Sequence, residues 1–218
     1  MERTAEVYRR LLAHYGPQHW WPAESDFEVI VGALLMPQTS WPNVEAAVAN
    51  LRAAGLLDPC RLASASLATI RRHVRVAGFH RSKPARLKAF CRHLVERSGG
   101  DLEAYFGRPT EVVRADLLDQ SGVGPETADS ILLFAGRHPV FVVDAYTIRI
   151  GTRLGLFATH GYDRVQAHFT ARVPRDVALV QEWHALLVEH AKTLCRSRPR
   201  CEACPLRSIC AFARGQRS

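Results

Sequence analysis

No apolar run in this 218-residue sequence approaches the length needed to span a bilayer, and its first residues, Met1 to Glu6, are polar. The first absence excludes a transmembrane segment and the second a secretory signal, so the expected location is the cytosol. Low-complexity linkers and internal repeats are also missing. Disorder is excluded by composition, with 47% apolar and 23% charged residues. A chain of this length buries enough core to need no disulfide staples, so its six cysteines call for another explanation.

Acidic residues are scarce as well, 21 against 29 basic ones, giving a net charge of +8. The shortage is concentrated at the C-terminus. From residue 192 onward Lys192, Arg196, Arg198, Arg200, Arg207, Arg214 and Arg217 face a single acid, Glu202. Such a patch suits phosphate, because each neutralised phosphate releases condensed counterions, although a solubilising basic tail would have the same composition.

What is present is helical periodicity. Val44, Ala47, Val48 and Leu51 share one face between Pro42 and Gly55. Leu87, Phe90, Cys91, Leu94 and Val95 repeat the pattern between Pro84 and Gly99. Leu179, Trp183, Leu186, Leu187, His190 and Leu194 make a stripe that runs into the cysteines. The only strand-like run, Val140 to Val143, is too short to distinguish from a buried connector. An all-α fold follows.

Four cysteines form Cys195-x5-Cys201-x2-Cys204-x5-Cys210, a density that packing does not explain. Tetrahedral thiolate sites hold zinc or an iron–sulfur cluster. Zinc ribbons usually use two separated Cys-x2-Cys knuckles, whereas here one knuckle has two outlying cysteines, which favours [4Fe–4S], in part on the resemblance described below. Cys60 and Cys91 are expected to be small buried apolar side chains.

Upstream, Leu117 to Ala128 places Gly122-Val123-Gly124 between amphipathic segments, with a helix restarting near Pro125. Glycines there permit positive φ and close approach, and a helix start offers N–H groups to an anion. Alone, this pattern reads better as a plain helix-to-helix turn. About twenty residues later Asp144 follows an apolar run and precedes another helix. It is an expected N-cap, and a carboxylate fixed at a helix N-terminus also suits stabilisation of a developing cation.

The hairpin, the aspartate and the cysteine loop, in that order, resemble the helix-hairpin-helix DNA glycosylases of the endonuclease III family over nearly the whole chain. The run from Glu182 to Cys195 resembles that family too, although its first cysteine gap is commonly six residues rather than five. The resemblance implies two lobes. One is a six-helix barrel over 22–137 with the hairpin at about 112–136, and the other joins 1–21 to 138–218 and carries a [4Fe–4S] cluster on Cys195, Cys201, Cys204 and Cys210. It implies duplex DNA with damaged bases as partner, Asp144 as the catalytic residue, phosphate contacts at Gly122, Val123, Gly124 and Thr127, and a monomer.

Bifunctional members carry a nucleophilic lysine where this chain has Glu126, and Lys83, Lys88 and Lys192 fall elsewhere. A carboxylate cannot form a Schiff base, so the expected enzyme releases a base without cutting the strand. Trp20-Trp21-Pro22 and Leu34 to Trp41 resemble the branch that includes 3-methyladenine DNA glycosylase III, implying an alkylated purine as substrate. Trp20, Trp21 and Trp41 would line the base pocket with Tyr146 and Glu126, and Gln38 would fill the gap left by the extruded base. The alternatives are a glycosylase for oxidised pyrimidines and a degenerate DNA-binding iron–sulfur protein that excises nothing.

Overall fold

A computed structural model describes residues 2–79 and 81–215, so Arg217 of the basic C-terminal run lies outside the described residues. The chain divides into two units, Met1–Pro22 with Pro139–Ser218, and Ala23–His138. No strand occurs among the described residues, and no helix there is long and apolar enough to cross a membrane.

Helix α1 (Glu2–Tyr15) opens the chain, and the middle unit follows with α2 (Asp26–Leu35), α3 (Trp41–Ala53), α4 (Pro59–Ser64), α5 (Leu67–Val74), α6 (Ser82–Ser98), α7 (Leu102–Phe106), α8 (Thr110–Leu118) and α9 (Pro125–Phe134). The starts are chemically marked. Ser25, Asp58, Ser66 and Asp101 each accept a hydrogen bond from a backbone N–H in the first turn of α2, α4, α5 and α7. The expected faces of α3 and α6 are buried through Val44, Ala47, Val48 and Leu51, and through Leu87, Phe90, Cys91 and Leu94. Every residue of α2 except Asp26 is buried, so it is a central rod and not an amphipathic surface helix. Asp116 on α8 is a polar hub, accepting hydrogen bonds from Tyr105 at 2.8 Å and Arg108 at 3.1 Å and pairing with His93 at 2.9 Å. Burial alone would raise its carboxyl, but the bonds from His93, Tyr105 and Arg108 outweigh that and hold it at about 2.

The other unit adds α10 (Ala145–Leu154), α11 (Tyr162–Thr170), α12 (Val177–Thr193) and α13 (Ala211–Gly215) to α1. Residues 140–143 form an irregular connector whose Phe141, Val142 and Val143 are buried. Trp183, Leu186, Leu187 and His190 of the expected α12 stripe are buried, whereas Leu179 and Leu194, at the helix ends, are half-exposed. Cys91 is buried as expected, but Cys60 is exposed, because it lies on the outer face of the short α4, where its thiol donates to the Gly99 carbonyl.

Candidate functional site

In the middle unit the hairpin joins α8 to α9. Gly122 adopts φ +80°, so the backbone favours glycine, and a Cβ there would come within 2.3 Å of Arg86 Nε, an exposed side chain that would have to move aside. Gly124 differs from expectation. It is the extended N-cap of α9 at φ −92°, with nothing near its Cα hydrogens, so it needs no positive φ. The Val123 N–H donates to the Gln120 carbonyl at 3.0 Å, and its side chain is 7% exposed. It anchors the turn. The N–H groups of Gly122 and Gly124 meet no backbone acceptor among the described residues. Glu126 and Thr127 are the second and third residues of α9, Glu126 exposed and Thr127 half-buried.

Gln38 sits exposed at the tip of the α2–α3 loop with φ +58°, a conformation uncommon for a residue with a side chain. Trp41, the first residue of α3, is half-buried. Sequence reasoning missed Phe79, which is 51% exposed at φ +44°. The buried Lys83 ammonium donates to the Ala77 carbonyl at 2.7 Å and lies 5.4 Å from the Phe79 ring centroid, tying that loop to α6. Nothing local in the sequence marks Phe79 as exposed. Only its neighbour Gly78, at φ +77°, hints at the turn.

Asp144 belongs to the other unit and caps α10. Its Oδ1 accepts from the Thr147 N–H at 2.6 Å and from the Thr147 hydroxyl at 2.8 Å, and Thr147 is fully buried. Two donors on one oxygen fix the carboxylate and leave Oδ2 to act elsewhere. Tyr146, two residues on, is half-buried with the Arg149 guanidinium 5.1 Å from its ring centroid. Trp20 stacks on Trp21 at 5.2 Å and 21°, and on His184 of α12 at 5.5 Å and 22°. His184, 5% exposed, was not anticipated from the sequence. Burial pulls its imidazole below the ordinary range, opposed by the Asp144 charge and by a hydrogen bond with the Val142 backbone. The aromatic stack therefore ends on a ring within electrostatic reach of Asp144.

The four C-terminal cysteines line one cavity of about 360 Å³, counting the space open to solvent, with apolar walls from Ile150, Leu154 and Leu206. Burial and the three neighbouring thiols push Cys204 up to about 11, and burial with Cys210 and Cys195 raises Cys201. Four sulfurs that oppose one another's ionisation suit a cationic centre, which reverses that opposition. No three His, Cys, Asp or Glu side chains among the described residues converge on a point suited to one ion. The thiols ring a cavity instead. Donors surround it: Arg153 reaches the Cys195 sulfur at 3.4 Å, and Arg149 donates to the Cys195 carbonyl at 2.9 Å. Lys192, Arg196, Arg198, Arg200, Arg207 and Arg214 are exposed.

Asp144, Trp20, Trp21, Tyr146 and the four cysteines thus share one unit, and Gln38, Trp41, Gly122, Val123, Gly124, Glu126 and Thr127 the other. Residues 31–175 match the family described as HhH-GPD superfamily base excision DNA repair proteins. A candidate DNA repair glycosylase of Methanocaldococcus jannaschii is 42% identical over 211 residues, 96% of each chain. The chain belongs to the HhH-GPD superfamily. Within it this glycosylase is similar to an H. pylori 3-methyladenine DNA glycosylase solved with 1,N6-ethenoadenine, at 27% identity and TM-score 0.76 over 86% of this chain and 96% of that one. It shares its fold with an endonuclease III trapped as a covalent DNA intermediate, at 19% identity and TM-score 0.84, covering 100% and 98%. The all-α expectation and the family resemblance are both borne out. The chain is accordingly a base excision repair DNA glycosylase.

Proposed function

We propose that this glycosylase is monofunctional and releases alkylated purines, such as 3-methyladenine, from duplex DNA by hydrolysis of the N-glycosidic bond. The observation that carries this reading is the Trp21–Trp20–His184 stack in the same unit as a rigidly capped Asp144 within electrostatic reach of that stack. A cationic alkylpurine is attracted to electron-rich indole faces, and its positive charge already weakens the bond to the sugar. Little acid assistance is then needed. The damaged nucleotide leaves the stack to expose that bond. Asp144 stabilises the oxocarbenium-like sugar and orients or deprotonates the attacking water.

Phosphates are held by the N–H groups of Gly122 and Gly124 and by the start of α9, with the basic C-terminal surface adding a non-specific attraction. Gln38 and Phe79, both exposed on positive-φ backbone, suit entry into the duplex, Gln38 at the vacated position and Phe79 as an apolar wedge. Glu126 at the second position of α9 supplies no amine for a Schiff base. The cavity of Cys195, Cys201, Cys204 and Cys210 suits a [4Fe–4S] cluster, which when bound cross-links the loop. Hydrolysis of a base calls for no electrons.

The test is a panel of duplexes carrying 3-methyladenine, thymine glycol or an abasic site, developed with and without alkali. The expected result is release of 3-methyladenine visible only after alkali, with no borohydride-trapped adduct on abasic DNA. Preferential excision of thymine glycol would replace the substrate assignment with that of oxidised pyrimidines. A trapped adduct would overturn monofunctionality, and silence on every lesion would leave a DNA-binding protein without excision activity.

A further inference from the structure

His190, on the last turns of α12, is 1% exposed and bridges two side chains far apart in sequence. Its Nδ1 lies 2.9 Å from the Tyr15 hydroxyl at the end of α1, and its Nε2 lies 3.7 Å from the Cys204 sulfur. We propose that Tyr15 and His190 form a hydrogen-bond relay that directs an Nε2–H onto the Cys204 sulfur and so positions and electronically tunes the cluster held by that thiolate. This rests on the cluster reading given above.

The assignment follows from counting protons. A neutral imidazole carries one N–H. With it on Nδ1, the ring would donate to Tyr15 and turn the Nε2 lone pair toward sulfur. A metal-bound thiolate has no proton to offer, so lone pair would face lone pair across a buried gap. With the proton on Nε2, the ring donates to the sulfur and Nδ1 accepts from the Tyr15 O–H. The remaining polar atoms close consistently. Tyr15 also lies 2.9 Å from the Thr193 hydroxyl, whose single proton then turns to the Tyr15 oxygen and away from the Glu189 carbonyl 2.8 Å from it. The opposite chain, from Nδ1–H to Tyr15, from Tyr15 to Thr193 and from Thr193 to Glu189, also supplies one proton per contact but leaves Nε2 facing the thiolate without one, so the thiolate decides for the arrangement that places a donor on Cys204. In a metal site the group behind the ring fixes which nitrogen is protonated and which way it points.

The relay ties three parts of one unit, α1, α12 and the cysteine loop. Cys195 receives its own donor from Arg153, so the two sulfurs are served by independent groups. Donors to ligand sulfur stabilise the more negative, reduced state of a cluster, because that state places more charge on sulfur. Removing the Nε2–H should therefore lower the midpoint potential without changing the four ligands.

The experiment measures iron and sulfide content, the visible spectrum and the midpoint potential of the full-length holoprotein, for wild type and three variants. His190→Leu should retain four iron atoms yet shift the reduced-to-oxidised ratio at fixed potential about fivefold toward the oxidised state, about 40 mV at 59 mV per decade for one electron. Tyr15→Phe leaves the ring in place but removes its orienting donor, so the shift should have the same sign and about half the size. His190→Gln keeps an N–H donor and should recover part of the loss. Should His190→Leu lose its iron, Tyr15→Phe alone carries the decision. Wild-type potentials in Tyr15→Phe and in every loaded His190 variant would overturn the relay while leaving the cluster reading intact. Colourless wild-type protein without iron would overturn both.

Discussion

Replacing Asp144 by Asn separates the two roles assigned to that carboxylate. Asn is as good an N-cap as Asp, and its amide oxygen can still accept from the Thr147 N–H and hydroxyl, now at 2.6 and 2.8 Å. Stability should therefore change by roughly 0.5 kcal/mol or less. What disappears is the negative charge and the capacity to take a proton from water. General-base assistance is worth about 10² to 10⁴ in rate, and loss of charge stabilisation of the sugar cation adds to it, so base release should fall by about 10³-fold or more. Asp144→Ala removes both hydrogen bonds and provides the contrast. It should lose activity equally and also cost about 1 to 2 kcal/mol, or roughly 2 to 8 °C in melting temperature for a chain of this size. Single-turnover release of 3-methyladenine, paired with thermal unfolding and duplex binding, reads all three quantities. An Asp144→Asn protein that melts and binds normally and turns over within tenfold of wild type would refute the catalytic assignment.

Two further perturbations test the scaffold. Gly122→Ala meets Arg86 and requires a left-handed alanine, so it should cost about 1 to 2 kcal/mol and weaken duplex binding, whereas Gly124→Ala, on ordinary backbone with open space, should change stability by under about 1 kcal/mol; equal effects in denaturant titrations would undo the distinction. Asp116, held at about 2 in the folded protein against its ordinary 3.8, contributes stability that is complete above about pH 4 and lost as pH falls through 2; with the exposed Arg97 screened by solvent, this amounts to about 1 to 2 kcal/mol. Asp116→Asn should flatten the acid limb of the stability curve over that window, and an unchanged slope would show that the hub does not titrate as described.

The faces of α3, α6 and the centre of α12 were legible because a helix encodes its buried side locally, at spacings of three and four residues. Helix α2 carried no such code, since a rod buried all round has no polar face to set the period. Asp144 was legible as a cap for the same local reason, its partner being three residues away. The contacts of His184 with Trp20 and of His190 with Tyr15 were not, because each joins residues more than a hundred positions apart along the chain. Cys60 and Val123 show a subtler limit. Residue type suggested a buried thiol at Cys60, but exposure decided otherwise, and the bond from the Val123 N–H to the Gln120 carbonyl carries no mark in the sequence. The thiolate spacing was clear, whereas the donors around it come from α1, α10 and α12.

One unit is assembled from both chain ends around an uninterrupted middle segment, and this fixes an order of events on the ribosome. Residues 23–138 can collapse as soon as they emerge, while α1, though synthesised before them, must wait for α12, the helix it packs on, to be translated. Until then its buried positions Val7 and Leu11 have no mate and are exposed to chaperones and proteases. A stalled or C-terminally clipped product would therefore retain a folded hairpin yet forfeit the N-terminal helix along with the missing tail.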